Sequence, residues 1–203
     1  KDNAGGNKEP VRIASFKLDK TLPTVTAMAD RAPDSNGWYN HAVTVTFSAT
    51  DAVSGPAVCD APKSYSGPDS ASASVSGSCT DNAGNSGSAT FAFKYDGTPP
   101  TVTFGAPSPA PNANGWNNTN VSIPFTPADN LSGVAGTNPA ASPLLLAAEG
   151  STVTGSVTVT DVAGNSASFT SPAVKLDKTQ PTAVVLAVTA GTLGANGWYT
   201  SDV

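Results

Sequence analysis

The sequence has little charge, little cysteine and almost no histidine. Charged residues make up 12% of its 203 positions, and the formal net charge is −5. This balance excludes the basic surface of a nucleic-acid-binding protein and the polybasic segment that holds a protein on an anionic membrane. Two cysteines and one histidine provide no CxxC pair and no Cys/His set with the spacing of a zinc site.

Long apolar runs are also missing. No stretch of the sequence approaches the ~20 apolar residues that a membrane helix needs, so we expect no membrane insertion in this segment. The first ten residues, "KDNAGGNKEP", are polar and predict no signal peptide. Lys, Glu and Arg, which favour helices on protein surfaces, are scarce.

The residues that are abundant favour strands and turns. The chain has 19 glycines and 17 prolines among many serines and threonines, and its apolar residues come in short runs. This composition predicts an all-β protein with many turns. Disorder is the competing interpretation of such a composition, but the regular alternation of apolar and polar residues argues against it.

The chain repeats itself. "SNGWYNHAVTVTFSATDAVSG" at 35–55 recurs as "ANGWNNTNVSIPFTPADNLSG" at 113–133 and begins again as "ANGWYTSDV" at 195–203. "DKTLPT", "DGTPPT" and "DKTQPT" begin at positions 19, 96 and 177, and "DNAGG", "DNAGN" and "DVAGN" at positions 2, 81 and 161. Each series advances by roughly 80 residues, which is the mark of a tandem array. The predicted boundaries are 1–18 for the last strands of one repeat, 19–95 and 96–176 for two whole repeats, and 177–203 for the first strands of another.

Within each repeat the apolar residues follow the period of a strand. Val43, Val45 and Phe47 alternate with threonines and a serine, as expected of a strand with one buried face. Further strands are predicted at 75–80 and 153–160, and Pro124 predicts an edge or a bulge in the second repeat. About seven short strands in about 80 residues are typical of a small sandwich of two sheets. The "DNAGN" stretch follows one of these strands, so we expect a hairpin turn whose glycine and asparagine serve the backbone.

The order and spacing of these motifs resemble the bacterial immunoglobulin-like repeats of large secreted and cell-surface proteins. The matching motifs are the NGWY-type loop, the D-x-T-x-P linker, the D-x-x-S-G turn and the D-x-A-G-N hairpin, and they cover essentially the whole chain. The resemblance implies tandem immunoglobulin-like β-sandwich domains in a rod-like array, each advancing the rod by roughly 40 Å. It also implies a role in extending or presenting something else, and some members of the family bind calcium where domains meet.

In the strand order that the resemblance implies, three aspartates of each repeat fall at one pole of the domain. They precede the first strand, follow the second and follow the sixth. Three carboxylates near the linker predict a composite Ca²⁺ site, because Ca²⁺ takes 6–8 oxygen ligands. The alternative is that each aspartate only caps its own turn. The candidate metal ligands are Asp19, Asp51 and Asp81 in one repeat and Asp96, Asp129 and Asp161 in the next.

In the strand order that the resemblance implies, the NGW loops fall at the opposite pole, where we expect them to face the next domain. We therefore expect Trp38, Trp116 and Trp198 to pack at the domain junctions. An exposed tryptophan that stacks on a sugar ring is the alternative, but one tryptophan per domain without an aromatic partner gives it little support. The region 140–150, "AASPLLLAAEG", differs between the repeats, and its Leu144, Leu145 and Leu146 form either a buried strand or an exposed patch.

Under the same strand order, Cys59 and Cys79 lie on neighbouring strands near one pole, which predicts a disulfide. The second repeat has Thr137 and Val159 at these positions, so the bond would stabilise one domain only. A disulfide implies an oxidising compartment, and we expect an extracellular or cell-surface location.

No arrangement of residues predicts catalysis. The single histidine, His41, lies in a loop and is replaced by Thr119 in the second repeat. We therefore expect a structural, non-catalytic segment of a long extracellular protein, such as a stalk, fibre or filament. An adhesin or a carbohydrate-binding accessory repeat of a secreted enzyme is the alternative. The expected partners are neighbouring repeats and identical chains in a fibre, and the expected cofactor is calcium or none.

Overall fold

The structure is a computed structural model that describes residues 12–183 and 190–201. These residues form strands, turns and short irregular segments, and the all-β prediction is confirmed. None of them belongs to a helix long and apolar enough to cross a membrane.

The first strand group, residues 24–95, contains seven strands. They are β1 (Thr24–Ala29), β2 (Trp38–Tyr39), β3 (Val43–Thr50), β4 (Pro56–Cys59), β5 (Lys63–Tyr65), β6 (Ser70–Asp81) and β7 (Ser86–Tyr95). One sheet has the order β1-β3-β5, and the other has the order β2-β7-β6-β4. Two sheets of three and four strands are consistent with the predicted β-sandwich.

The core of this group lies where the alternating apolar residues predict it. Val43 and Val45 are fully buried, Phe47 is nearly so, and the threonines between them are less buried. The rings of Tyr39 and Phe93 meet edge to face with their centroids 5.5 Å apart, an arrangement that adds to the burial of their apolar area.

The predicted disulfide is present. Cys59 and Cys79 are bonded and lie directly opposite each other on the antiparallel strands β4 and β6. The two cysteines are 20 positions apart in the sequence. Their bond links β4, the edge strand of the four-stranded sheet, to its neighbour β6.

The second strand group, residues 101–176, contains shorter strands. They are β8 (Thr101–Phe104), β9 (Trp116–Asn117), β10 (Val121–Ile123), β11 (Phe125–Ala128), β12 (Val134–Asn138), β13 (Leu144–Leu146), β14 (Gly150–Val153), β15 (Ser156–Asp161), β16 (Ser166–Thr170) and β17 (Val174–Leu176). The pairings are β11-β8, β10-β13, β12-β15-β16 and β14-β17-β9.

These pairings correspond to those of the first strand group. β9 pairs in parallel with β17 as β2 does with β7, and β12 pairs with β15 as β4 does with β6. The counterpart of β3 is divided into β10 and β11 at Pro124, as expected of a residue without a backbone N–H. Gly105 nevertheless donates its N–H to the Pro124 carbonyl at 2.8 Å, which keeps the two segments aligned.

The core of the second strand group includes the leucine run. Leu144 and Leu146 are 8% and 4% exposed, whereas Leu145, which points the other way, is 59% exposed. β13 is thus a strand with one buried face. Leu144 and Leu146 fit the prediction of a buried strand, and Leu145 fits the alternative of an exposed patch. The rest of this core comes from Val121, Ile123, Phe125, Val153, Val157, Val159, Val174 and Leu176.

Candidate functional site at the strand-end aspartates

The six candidate aspartates form two clusters. Carboxylate oxygens of the first aspartate cluster (Asp19, Asp51 and Asp81) all lie within 4.8 Å of one another, and the same holds for the second aspartate cluster (Asp96, Asp129 and Asp161). Successive aspartates of a cluster are 30 to 33 positions apart in the sequence, so the fold alone brings the carboxylates together. Either cluster has the oxygen donors to hold a metal ion.

Each aspartate that follows the strand β3 or β11 caps a turn. Asp51 Oδ1 accepts hydrogen bonds from the backbone N–H groups of Ser54 at 2.8 Å and Gly55 at 3.0 Å. Asp129 Oδ1 does the same for Leu131 at 3.0 Å and Gly133 at 2.6 Å. Both turn capping and clustering are therefore present, and the two alternatives considered for these residues do not exclude each other.

The D-x-A-G-N hairpins position the third aspartate of each cluster, Asp81 or Asp161. Asp81 Oδ1 accepts the backbone N–H of Asn85 at 2.8 Å, and its Oδ2 accepts the Asn85 side-chain amide at 2.8 Å. Asp161 and Asn165 repeat both bonds, again at 2.8 Å each. The asparagine of the motif thus acts through its side chain as well as its backbone, which the expectation of a purely backbone role had missed.

The linker aspartates, Asp19 and Asp96, complete the clusters, and each forms hydrogen bonds with another part of its own cluster. Asp19 Oδ2 accepts the Ser54 N–H at 3.1 Å, and Asp96 Oδ2 accepts the Ser132 N–H at 3.0 Å. Each linker aspartate therefore binds the turn that another aspartate of its cluster caps. The result is one hydrogen-bonded unit made of the linker, the turn after β3 or β11, and the hairpin.

Hydrogen bonds lower the pKa of two carboxylates in the first aspartate cluster, Asp19 and Asp81. Those from the side chains of Ser54 and Thr21 lower the pKa of Asp19 to about 2. Burial raises the pKa of Asp81, and the nearby charge of Asp19 raises it further, but the hydrogen bonds from Asn85 and Ala83 outweigh both, so the pKa is lowered. Repulsion between the carboxylates is thus offset by backbone and amide donors.

The carboxylate oxygens that accept no hydrogen bond are the ones most available to bind a cation. Within the described residues, Oδ2 of Asp51 and Oδ2 of Asp129 accept no hydrogen bond, whereas every other carboxylate oxygen of the clusters accepts at least one. A carboxylate oxygen has more than one lone pair, so an oxygen that accepts one N–H can still bind a metal. The carboxylate oxygens could hold a metal ion, and Asp51 and Asp129 are the candidate ligands with the fewest hydrogen bonds to their free oxygen.

Two acidic residues outside the predicted set hold the linkers. The Asp69 carboxylate accepts the Gly97 N–H at 2.8 Å and also the Thr98 hydroxyl. The Glu149 carboxylate accepts the Lys178 N–H at 2.8 Å and the Thr179 hydroxyl at 3.1 Å. Both precede a strand directly, at the start of β6 and of β14, and this position was the available sequence signal. The equivalence of the two positions was not recognised in the sequence, because one repeat has Asp there and the other has Glu.

The linker and the NGW loop connect the two strand groups. Asp96 donates its N–H to the Tyr39 carbonyl at 2.9 Å and is 1% exposed. Asn36 donates its side-chain amide to the Val162 carbonyl at 3.2 Å. The D-x-T-x-P linker and the NGW loop therefore meet the second strand group at the same pole as its aspartate cluster.

The three tryptophans lie in different surroundings. Trp38 is 7% exposed with the Lys94 ammonium 5.5 Å from its ring centroid, and Trp116 is half-buried with the Lys175 ammonium at 5.8 Å. Trp198 is 78% exposed. Trp38 and Trp116 each contact a lysine of their own strand group through a cation–π interaction, a partner that the sequence analysis did not identify.

His41 lies beside the ion pair of Arg31 and Asp34. Its Nδ1 lies 3.6 Å from Asp34 Oδ1, and Arg31 binds the Asp34 carboxylate through two nitrogens at 2.7 and 2.9 Å. Arg31 also donates to the backbone carbonyl of His41 at 2.6 Å. These contacts fasten the loop that carries the NGW motif.

Comparison with known proteins assigns no family to the chain. No family model matches it, and no curated protein matches its sequence.

Proposed function

We propose that the chain is a structural, non-catalytic segment of a long extracellular protein, built from tandem immunoglobulin-like β-sandwich domains. Its role is to extend and stiffen a stalk, fibre or filament through the short D-x-T-x-P junctions. The corresponding strand pairings of the two strand groups support the tandem arrangement. The Cys59–Cys79 disulfide supports an oxidising, extracellular location.

One observation carries this proposal: Asp96 is bonded to both strand groups. Its N–H donates to the Tyr39 carbonyl at 2.9 Å in the first group. Its carboxylate accepts the Ser132 N–H at 3.0 Å, and its carbonyl accepts the Asn165 amide at 2.8 Å, both in the second group. A linker residue fixed on both sides cannot act as a flexible hinge, because bending would break several of these bonds together.

The next linker repeats the attachment to the preceding strand group. Asp177 donates its N–H to the Asn117 carbonyl at 2.9 Å, as Asp96 does to Tyr39. Lys178 and Thr179 bind the Glu149 carboxylate, as the residues after Asp96 bind Asp69. A recurrent attachment of this kind supports a joint that belongs to the array and not to one pair of domains.

A distance measurement across the junction tests the proposal. Spin labels on Ser48→Cys and Thr126→Cys, both exposed on equivalent strands β3 and β11, report the distance between the strand groups by double electron–electron resonance. We expect a narrow distance distribution. Asp69→Ala removes one attachment and is expected to broaden it, while Asp60→Ala, at a carboxylate of the same strand group that does not touch the linker, leaves it narrow. A distribution in the unchanged chain as wide as that of a Gly/Ser-type linker would contradict the proposal.

We further propose that the aspartate clusters bind Ca²⁺ and that the ion adds to the stiffness of the junction. The support is the recurrence of three carboxylates within 4.8 Å at the same pole of both strand groups. Bound Ca²⁺ would cross-link the linker, the turn and the hairpin by ligands in addition to their hydrogen bonds.

Calorimetric titration with Ca²⁺ tests this part separately. Two sites are expected in the unchanged chain, and Asp129→Asn is expected to remove one while Asp51→Asn removes the other. The matched control is Asp30→Asn, a carboxylate outside both clusters. Absence of binding heat, together with a melting temperature that is the same in Ca²⁺ and in chelator, would exclude the cation and leave the hydrogen-bonded junction intact.

A further inference from the structure

An aromatic ring closes one side of the first strand group. Tyr39, on β2, is 3% exposed, and its ring meets that of Phe93 edge to face. The Tyr39 hydroxyl donates to the Arg31 carbonyl at 3.0 Å, and the Arg31 guanidinium lies 5.1 Å from the Tyr39 ring centroid. Tyr39 is therefore enclosed between β7 and the segment that leads to the NGW loop.

The same positions of the second strand group hold smaller side chains. β9 pairs with β17 in the register that β2 has with β7, so Asn117 is the counterpart of Tyr39 and Val174 is the counterpart of Phe93. An amide and an isopropyl group thus stand where the first group has two aromatic rings. A smaller side chain leaves space wherever the surrounding structure does not collapse around it.

A cavity of about 210 Å³ lies at these positions of the second strand group. It is lined by Asn117 and Val174, and by Pro107 and Pro111 of the segment that leads to the second NGW loop. β17 and that segment are the counterparts of the two walls that enclose the Tyr39 ring, so the cavity lies where the first group holds an aromatic ring. An apolar cavity of about 150 Å³ is already large enough to bind benzene.

One residue that lines the cavity has a buried acceptor without a donor. Asn117 is 5% exposed, and its Oδ1 is buried and accepts no hydrogen bond from the described residues. Its Nδ2 donates to the Lys175 carbonyl at 3.5 Å. Because buried acceptors are nearly always hydrogen-bonded, a ligand that brings an O–H or N–H group to Asn117 Oδ1 would complete the hydrogen bonding of this amide.

The outer walls of the cavity stay open when another strand group follows. Pro111 and Lys175, which line the cavity, are exposed. Their counterparts in the first strand group, Pro33 and Lys94, are exposed as well, although a second strand group follows the first. The contact between successive groups therefore does not cover this side, and a small molecule can reach the cavity within a tandem array.

We propose that the cavity beside Asn117 binds a small phenol. The ring lies between Val174 and the two prolines, in the space that Tyr39 fills in the first strand group, and the hydroxyl donates to Asn117 Oδ1. Mostly apolar walls with a single buried polar group are typical of small-molecule sites. The proposal goes beyond the proposed function, because it gives a small-molecule ligand to a segment whose proposed role is structural.

An NMR titration of the ¹⁵N-labelled chain with phenol tests the site. We expect saturable shifts of the backbone amides of Gly115 and Lys175 and of the Asn117 side-chain amide. The first strand group is the internal control: Gly37 and Lys94, at the equivalent positions, should not shift, because the Tyr39 ring fills that space. Absence of saturable shifts at Gly115 and Lys175 would overturn the proposal and would leave the proposed structural role unaffected.

Two variants separate the space from the acceptor, and circular dichroism confirms that each is folded. Asn117→Tyr gives the second strand group the residue of the first and is expected to abolish the phenol shifts. Asn117→Leu removes the acceptor and is expected to weaken phenol binding about tenfold, while binding of toluene, which has no donor, does not weaken. Phenol shifts that persist in Asn117→Tyr, or equal affinities of the unchanged chain for phenol and toluene, would overturn the proposal.

Discussion

The side-chain amide of Asn165 donates a hydrogen bond to the backbone carbonyl of Asp96 at 2.8 Å, across 69 positions of the sequence. Asn85 makes the same bond to the carbonyl of Asp19, at 3.3 Å. The last residue of each D-x-A-G-N hairpin thus fastens the linker that enters its strand group. The hairpin is therefore both a turn and an attachment point for the linker.

Loss of this amide should weaken the second strand group. Asn165→Ala leaves the Asp161 carboxylate and the Asp96 carbonyl each without one donor in a buried setting, and the expected loss of unfolding free energy is about 1–3 kcal/mol. Urea unfolding followed by circular dichroism measures it. Asn130→Ala, at an exposed asparagine of the same pole, is the control and should change stability little; equal losses in both variants would contradict the role of Asn165.

Removal of the disulfide should affect one strand group only. The double substitution Cys59→Ser with Cys79→Ser removes a cross-link between residues 20 positions apart. The expected loss of unfolding free energy is about 3 kcal/mol in the chain-entropy description. Hydrogen exchange measured by mass spectrometry reports the two strand groups separately. Protection should fall at 43–95 and stay unchanged at 121–176. A uniform fall over both groups would show that they unfold as one cooperative unit.

The second strand group should accept the disulfide that it lacks. Thr137 and Val159 lie directly opposite each other on β12 and β15, as Cys59 and Cys79 do on β4 and β6. Thr137→Cys with Val159→Cys is therefore expected to form a bond without a change of fold. Val159 is fully buried, so its replacement by the smaller cysteine loses packing energy. This loss offsets part of the stabilisation that the new disulfide provides. Mass spectrometry of alkylated protein would detect the bond, and two free thiols would refute the prediction.

Acid should weaken the loop that carries the first NGW motif. Hydrogen bonding from Arg31, supported by the Asn40 N–H, lowers the pKa of Asp34 to about 2 against an ordinary value of 3.8. A depressed carboxylate pKa contributes stability that is fully present above the unfolded value and is lost as pH falls through the folded value. We therefore expect stability to decline between pH 4 and about 2, and Asp34→Asn to reduce that decline. An NMR titration of the Asp34 carboxyl carbon with a midpoint near 3.8 would contradict the assignment.

The features that the sequence predicted well are those set by local pattern or by the strand order that the resemblance implies. Alternation located β3, and the position of the hairpin after β6 located Asp81. The strand order of the resembling family placed Cys59 opposite Cys79 and gathered each set of three aspartates at one pole. In these cases a side chain's position follows from its place on a strand or in a turn.

The features that escaped prediction depend on how far a side chain reaches. Asp69 and Glu149 hold equivalent linkers with side chains of different length, so no identical residue repeats in the sequence. Lys94 lies over Trp38 only because the parallel pair β2-β7 brings them side by side. These particular contacts leave no repeated pattern in the sequence, so the three-dimensional arrangement was needed to identify them.

The recurrence of the linker contacts has a consequence for how such a chain grows in evolution. The contacts that the preceding strand group makes with the linker at 96–98 have counterparts at the linker beginning at position 177, including those of the acidic residue before β6 or β14. A gene duplication that copies the stretch from one linker to the next therefore copies the joint along with the module. Length can change by whole modules without any new contact having to arise by mutation.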